Sequence, residues 1–259
     1  MDVVILCGGQ GARMREETEY RPKPMVEVGS RPLLWHIMRL FGHHGLNKFV
    51  LCLGYKGSMI KEYFLNYEAM TSDCTVSVGG RRQIWCHGTG ESVDFEVTLA
   101  DTGVDAFTGA RLRKVARYIQ GDTFLLTYGD GLSDIDISKL IAFHEGHGKL
   151  ATVTTVQPSS RFGITTIDSQ SRVTGFSEKP KVEGWVSAGF FVFSRKVLDY
   201  IDAGERVALE TDPLERLAAD GQLMAYQHDG FFFAVDTYRD YQQVNELWTT
   251  GHAPWKVWG

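Results

Sequence analysis

Glycine, arginine and lysine fall near the start of the chain in an arrangement suited to holding phosphate. Directly after the apolar run Val3-Val4-Ile5-Leu6-Cys7 stands Gly8-Gly9-Gln10-Gly11-Ala12-Arg13-Met14. A glycine-rich turn at the end of a strand lets backbone N–H groups approach phosphate oxygens closely. A tight turn that needs φ > 0 is the plainer use of the same glycines. No Gly-Lys-Ser/Thr follows, and the spacing is not G-x-G-x-x-G, so neither common nucleotide loop fits. Arg13 adds a guanidinium able to fork onto a di- or triphosphate and to stabilise charge on departing pyrophosphate. Further on, Pro22 and Pro24 bracket Lys23. The prolines predict an extended backbone that excludes helix and holds the ammonium on a stiff segment, whereas a lone loop lysine would be unremarkable surface.

Two aspartates complete the set. Asp130 follows the apolar run that ends at Tyr128-Gly129, and Asp236 follows Phe231–Val235. Both positions read as strand C-termini, where open α/β sheets place ligands. Their hard oxygens suit a divalent cation such as Mg²⁺, which takes one or two carboxylates plus phosphates and water. Helix N-capping or turn formation is the alternative use of an aspartate at such a place.

The elements that must position these residues follow from the pattern of apolar residues. Strands are expected at Val3–Cys7, Phe49–Gly54, Thr75–Val78, Val93–Ala100 and Phe124–Tyr128. Helices are expected at Leu33–His44, Ser58–Tyr67, Ala110–Gln120 and Ile135–His144. This alternation predicts a parallel sheet with crossover helices. From Ala151 onward strands crowd together, at Ala151–Val156, Ile164–Ile167, Val173–Ser177, Ala188–Phe193, Leu223–Gln227 and Phe232–Val235. Only short helices near Lys196–Ile201 and Pro213–Asp220 interrupt them. The fold class is therefore α/β, a mixed sheet built on a doubly wound half (1–149) with a β-rich portion (150–259), and no linker separates the two. Trp248, Trp255 and Trp258 are expected to pack against the body or a neighbouring subunit.

Composition narrows the function classes. The 259 residues are 43% hydrophobic and 23% charged, as in ordinary soluble globular proteins. A formal charge of −5 lacks the basic surface of a dedicated nucleic-acid binder, so an anionic ligand needs a local site. No apolar stretch approaches the length that spans a bilayer, and Met1–Cys7 lacks the basic and apolar regions of an export signal. The four cysteines are scattered without a Cys-x-x-Cys pair, which fits free thiols in a reducing cytoplasm.

Taken together, Gly8–Met14, Lys23-Pro24-Met25, Leu34–Met38, Gly54–Gly57, Asp101–Gly103, Thr127–Gly131, Phe176–Pro180, Gly189–Val192, Asp236–Asp240 and Ala253–Lys256 resemble the sugar-1-phosphate nucleotidylyltransferases from end to end. Within that family they resemble its cytidylyl-transferring branch. The resemblance implies a Rossmann-like, GT-A-like nucleotidyltransferase domain. It further implies transfer of the cytidylyl group of CTP to a hexose 1-phosphate, first of all glucose 1-phosphate, with Mg²⁺ as cofactor and a symmetric homo-oligomer, a trimer or a hexamer, as assembly. By the same resemblance Arg13 and Lys23 are catalytic, and Asp130 and Asp236 hold the metal. Leu6, Gly8, Gly9, Gly11, Ala12, Thr108, Arg111 and Gly129 meet the nucleotide. Gly163, after Arg161-Phe162, joins Glu178, Lys179, Ala188 and Gly189 in meeting the sugar.

Arg111 aimed at cytosine N3 would favour CTP over UTP, whose N3 carries a proton. Arg111, Arg113, Lys114 and Arg117 also read as the basic face of a helix. Glu178-Lys179 reads alternatively as solvated surface. Two positions depart from the family pattern: Ala12 stands where threonine is common and Ala188 where asparagine is usual, which opens the identity of the sugar. The same chemistry with another nucleotide or sugar, a metal-dependent glycosyltransferase and a non-catalytic sensor are the rival readings. Retention of Arg13, Lys23, Asp130 and Asp236 counts against the sensor. His144-Glu145-Gly146-His147 lacks the spacing of the helical zinc motif, His43-His44 reads as a helix end, and Asp134-Ile135-Asp136 as helix capping.

Overall fold

A computed structural model of the chain describes residues 1–80, 83–88, 93–160, 162–181 and 183–259, with the side chains of Ala12 and Arg15 left aside. Arg161 lies outside the described residues. The strands are β1 (Asp2–Leu6), β2 (Glu27–Val28), β3 (Arg31–Pro32), β4 (Lys48–Leu53), β5 (Cys74–Ser77), β6 (Gln83–Cys86), β7 (Glu96–Asp101), β8 (Thr123–Tyr128), β9 (Gly131–Ser133), β10 (Ala151–Val156), β11 (Ile164–Ile167), β12 (Val173–Ser177), β13 (Val186–Ser194), β14 (Leu223–Gln227) and β15 (Phe232–Ala234). The helices are α1 (Arg15–Thr18), α2 (Leu33–His43), α3 (Gly57–Leu65), α4 (Tyr67–Thr71), α5 (Thr108–Val115), α6 (Ile137–His147), α7 (Asp212–Ala219) and α8 (Tyr238–Thr249).

Seven strands form one sheet in the order β14-β10-β13-β8-β1-β4-β7, drawing on both halves of the chain. Within it only β13 runs against the rest. Central strands of such a sheet are covered on both faces and so read as continuous apolar runs. In β1, Val3 and Ile5 point into a core shared with α2, while Val4 and Leu6 point into a second core shared with Leu112 and Val115 of α5. Four small ribbons, β2–β3, β5–β6, β11–β12 and β9–β15, stand off the sheet. No helix among the described residues is long and apolar enough to cross a membrane.

Several expected elements differ in extent or place. The helix expected at Ser58–Tyr67 breaks at Asn66, which leaves helical geometry at φ −114° and whose side-chain amide donates to the carbonyl of Glu62. Thr75–Val78 does not join the main sheet but pairs with the unanticipated β6 in a hairpin. The Ala110–Gln120 helix starts earlier and tightens into a 3₁₀ turn after Val115. In the second half the twelve-residue α8 was not anticipated. Its start carries a capping box between Thr237 and Asp240 that the sequence displays.

The tryptophans do pack inward. Trp255 and Trp258 are buried and, with Trp248, enclose His36 of α2. His36 uses both ring nitrogens: Nε2–H donates to the Val28 carbonyl at 2.9 Å, and Nδ1 accepts from the Trp255 indole at 3.4 Å. A neutral ring satisfies both bonds, and burial lowers the pKa from 6.5 to about 4.

The folded state thus takes up the His36 proton less readily than the unfolded chain. The stability it contributes is complete above pH 6.5 and is lost as pH falls towards 4, to a limit of roughly 3 kcal/mol. Urea-unfolding free energies measured from pH 7 to pH 4 should fall more steeply in the wild type than in H36Q. Equal slopes would refute this.

Candidate active site

The site is assembled by a turn, a ribbon and a helix start. Lys23 sits in one turn of 3₁₀ helix, Lys23–Met25, closed by the Met25 N–H donating to the Pro22 carbonyl at 2.8 Å. The backbone is extended at Pro22 and Val26 but turns between them, unlike the fully extended segment expected. Proline tolerates a first helical turn because its missing N–H would lack a partner there anyway. Lys23 is buried at 8% exposure, so its ammonium needs partners.

Those partners come from far along the chain. The β9–β15 ribbon pairs Gly131 with Ala234, and the Val235 N–H donates to the Asp130 carbonyl at 3.0 Å, which sets Asp130 beside Asp236. Asp240, in the first turn of α8, accepts from the backbone N–H of Asp236 at 3.1 Å and of Thr237 at 2.8 Å. The helix start therefore fixes the backbone that carries Asp236. Lys23 Nζ then donates to Asp130 Oδ2 and to Asp236 Oδ1, each at 2.6 Å, and Arg13 meets Asp236 Oδ2 at 3.0 Å. Lys23 is enclosed, whereas the Arg13 side chain is 75% exposed.

These four side chains border one cavity of about 510 Å³. Leu6, Gly8, Gly9, Gly11, Thr108, Arg111 and Gly129 also line it, so the nucleotide set and the catalytic set share a cleft. Ala12 opens the 3₁₀ turn that carries Arg13.

Arg111 is buried, and both terminal nitrogens of its guanidinium are engaged. Its guanidinium donates to the carbonyls of Leu53, Gly103, Gly8 and Val104 and to the Thr102 hydroxyl, at 2.7–3.2 Å. A Cβ at Gly8 would fall 2.0 Å from this guanidinium and one at Gly54 2.5 Å from it, so only glycine admits the group at either place. Arg113 and Lys114 are likewise engaged, with the Ile201 carbonyl and with Glu205, rather than forming a free basic face.

The wall opposite holds residues the sequence did not single out. Glu210 accepts from the Thr108 hydroxyl at 2.6 Å and from the Tyr128 hydroxyl. Burial, then the Glu210 carboxylate, pushes the Tyr128 hydroxyl far above its ordinary range and keeps it a donor. Tyr128 adjoins the Gly129-Asp130 motif and could have been drawn from it. Glu210 sits in a loop with no signal in the sequence.

The residues assigned to the sugar do not line this cavity. Gly163 lies against Glu178 and Phe176 of the β11–β12 ribbon, where a Cβ would sit 3.0 Å from Glu178 Oε2. Lys179 follows with left-handed backbone, φ 48°. Ala188 is buried, and Gly189, at φ 75°, packs against the Tyr128 ring that forms part of the cavity wall. Glu178 and Lys179 are exposed.

Among the described residues no group of three or more His, Cys, Asp or Glu could enclose a metal ion. Two carboxylates that converge on one ammonium nonetheless define a single cation position with hard oxygen donors. A divalent cation there would complete its shell with water and phosphate oxygens. His144 and His147 both bond to the Thr152 hydroxyl, at 2.8 and 2.7 Å, so that pair is structural. Asp136 caps α6 as expected.

The profile of the family described as "Nucleotidyl transferase" matches residues 2–252. The chain is 47% identical to the glucose-1-phosphate cytidylyltransferases of Salmonella typhi and of Salmonella typhimurium strain LT2, over all of this chain and all of each relative. Among solved structures, HddC from Yersinia pseudotuberculosis superposes with a TM-score of 0.70 at 23% identity, covering 95% of this chain and 99% of that one, a likeness of fold.

The Lys23 ammonium and a divalent cation compete for the same carboxylate oxygens. Lys23→Met removes a competitor held by charge-assisted hydrogen bonds worth about 1.5–3 kcal/mol, so Mn²⁺ affinity measured by calorimetry should rise on the order of tenfold or more. Weaker Mn²⁺ binding in the variant would contradict this geometry.

Proposed function

The chain belongs to the nucleotidyl transferase family, and we propose that it transfers the cytidylyl group of CTP to α-D-glucose 1-phosphate, giving CDP-glucose and pyrophosphate. The observation that carries this reading is the convergence of Arg13, Lys23, Asp130 and Asp236 on the cavity that the glycine loop borders. The choice of CTP and glucose 1-phosphate draws support from the full-length likeness to the two Salmonella enzymes.

A phosphate oxygen of the sugar attacks the α-phosphorus in line with departing pyrophosphate. The nucleophile is already ionised at neutral pH, so no general base is needed, and catalysis rests on positioning and on neutralising charge. Lys23 draws the α-phosphate and the sugar phosphate together, since the two anions repel each other unless a cation lies between them. Arg13, exposed at the cavity rim, follows the charge that builds on pyrophosphate. Backbone amides of Gly8, Gly9, Gly11 and Ala12 receive the remaining phosphate oxygens. Asp130 and Asp236 would hold a divalent cation, Mg²⁺ in this reading, which would supply further neutralisation when bound.

Leu6, Thr108, Arg111 and Gly129 receive the nucleoside. Arg111 acts on base choice through the carbonyls it fixes, those of Gly8, Gly103 and Val104. A fixed carbonyl accepts from the 4-amino group of cytosine but faces the 4-oxo group of uracil acceptor to acceptor. Gly163, Glu178, Lys179, Ala188 and Gly189 receive the sugar phosphate. Glu178 accepts from vicinal hydroxyls, and Lys179 meets the anomeric phosphate.

Pyrophosphate release from a panel of four nucleoside triphosphates against several sugar 1-phosphates tests the assignment. Turnover is expected with CTP and glucose 1-phosphate, and none with that pair would overturn it. Arg111→Ala should reduce the preference for CTP over UTP on the order of tenfold. An unaltered preference would remove Arg111 from base selection.

A further inference from the structure

The four cysteines divide into two pairs of opposite character. Cys7 and Cys52 are buried, and burial pushes their thiols up, that of Cys52 to about 12. Such thiols are inert at neutral pH. Cys74 and Cys86 are exposed, and the register of the β5–β6 hairpin sets them directly opposite one another.

Pair type within that hairpin matters. The His87 N–H donates to the Asp73 carbonyl at 2.7 Å, which makes the 73/87 pair a hydrogen-bonded one. The next pair along an antiparallel ladder, Cys74/Cys86, is then of the non-hydrogen-bonded kind. Cα atoms in such a pair stand about 4.5 Å apart with side chains on one face, inside the span a disulfide accepts. Cys86 also borders a groove of about 520 Å³ between α4 and β7, and the exposed Cys74 is open to a small reagent directly from solvent. Local desolvation, with the Glu68 carboxylate and the Cys74 thiol adding to it, raises the Cys86 thiol above its ordinary value.

We propose that Cys74 and Cys86 form a dithiol/disulfide modification site whose reactant is a low-molecular-weight disulfide. The Cys74 thiolate attacks one sulfur of R–S–S–R, forms a Cys74–S–S–R mixed disulfide and releases RS⁻. The Cys86 thiolate then attacks the Cys74 sulfur, closes the cross-strand disulfide and releases the second RS⁻. Two protein thiols lose two protons and two electrons in total, and one R–S–S–R becomes two RSH. Closure ties the end of α4 to the start of the segment that leads into β7, and a small dithiol reductant reverses it. Because the raised Cys86 thiol must ionise to resolve the mixed disulfide, closure accelerates as pH rises above neutrality.

Oxidised glutathione is the probe. Before treatment, an aromatic disulfide reagent should titrate two of the four thiols in the native protein and the others only in denaturant. After treatment the native count should fall to zero, and the intact mass should drop by about 2 Da. C74S and C86S should each retain a glutathione adduct of about 305 Da instead, because neither can close the ring. Wild-type protein that keeps one or two stable glutathione adducts, or whose thiol count is unchanged by the reagent, would overturn the proposal. The wild-type mass decides the matter without relying on either variant.

Discussion

One enclosed ammonium, shared between two carboxylates, is what the rest of the site is built around. Lys23 is nearly out of contact with water, and an unpaired charge there would be costly enough to expel the side chain. Pairing with both Asp130 and Asp236 removes that penalty and imposes a geometric condition: three segments from distant parts of the chain must meet within hydrogen-bond reach. The proline-bracketed turn, the β9–β15 ribbon and the α8 cap each satisfy one part of it. The same arrangement holds the two carboxylates side by side, with the ammonium between them, before any ligand arrives.

Arg111 plays a comparable part on the opposite side of the glycine loop. Its donors tie four carbonyls and a hydroxyl from three chain segments into one wall, and the absence of side chains at Gly8 and Gly54 leaves the slot in which it lies. Two buried cations therefore flank the loop with different duties. Lys23 is held by carboxylates and can be exchanged for another cation. Arg111 is hydrogen-bonded to neutral carbonyls and a hydroxyl, so it has no carboxylate partner for a ligand to displace.

Much of this was legible in the residues. Buried strands such as Ala151–Val156 announce themselves as β-branched runs, although the register shift between Val153 and Thr155 against β13 leaves no mark in the sequence. Asp130 and Asp236 were legible as strand-end carboxylates because each follows a largely apolar run, Phe124–Tyr128 before one and Phe231–Val235 before the other. Other features were not, for reasons that are physical. Apart from the Thr102 hydroxyl, the acceptors of Arg111 are backbone carbonyls, which every residue possesses, so residue type does not mark them. Glu210 gains its place from the Thr108 and Tyr128 hydroxyls across more than eighty residues of chain. The break at Asn66 is one residue long, below what periodicity resolves. Helix α8 is mostly polar, with Val244 its only buried residue, so its apolar stripe is faint and only the capping box at Thr237 marks its start.

The span of the Lys23–Asp236 contact, 213 residues, has a consequence for the newly made chain. Ribosomes add roughly 5–20 residues per second, so Lys23 waits on the order of 10–40 s for its second carboxylate to be synthesised. During that interval the glycine loop and the first strands can emerge and pair, yet no cation position with both carboxylates exists. The paired-carboxylate position around Lys23 therefore forms in a single late step rather than growing with length.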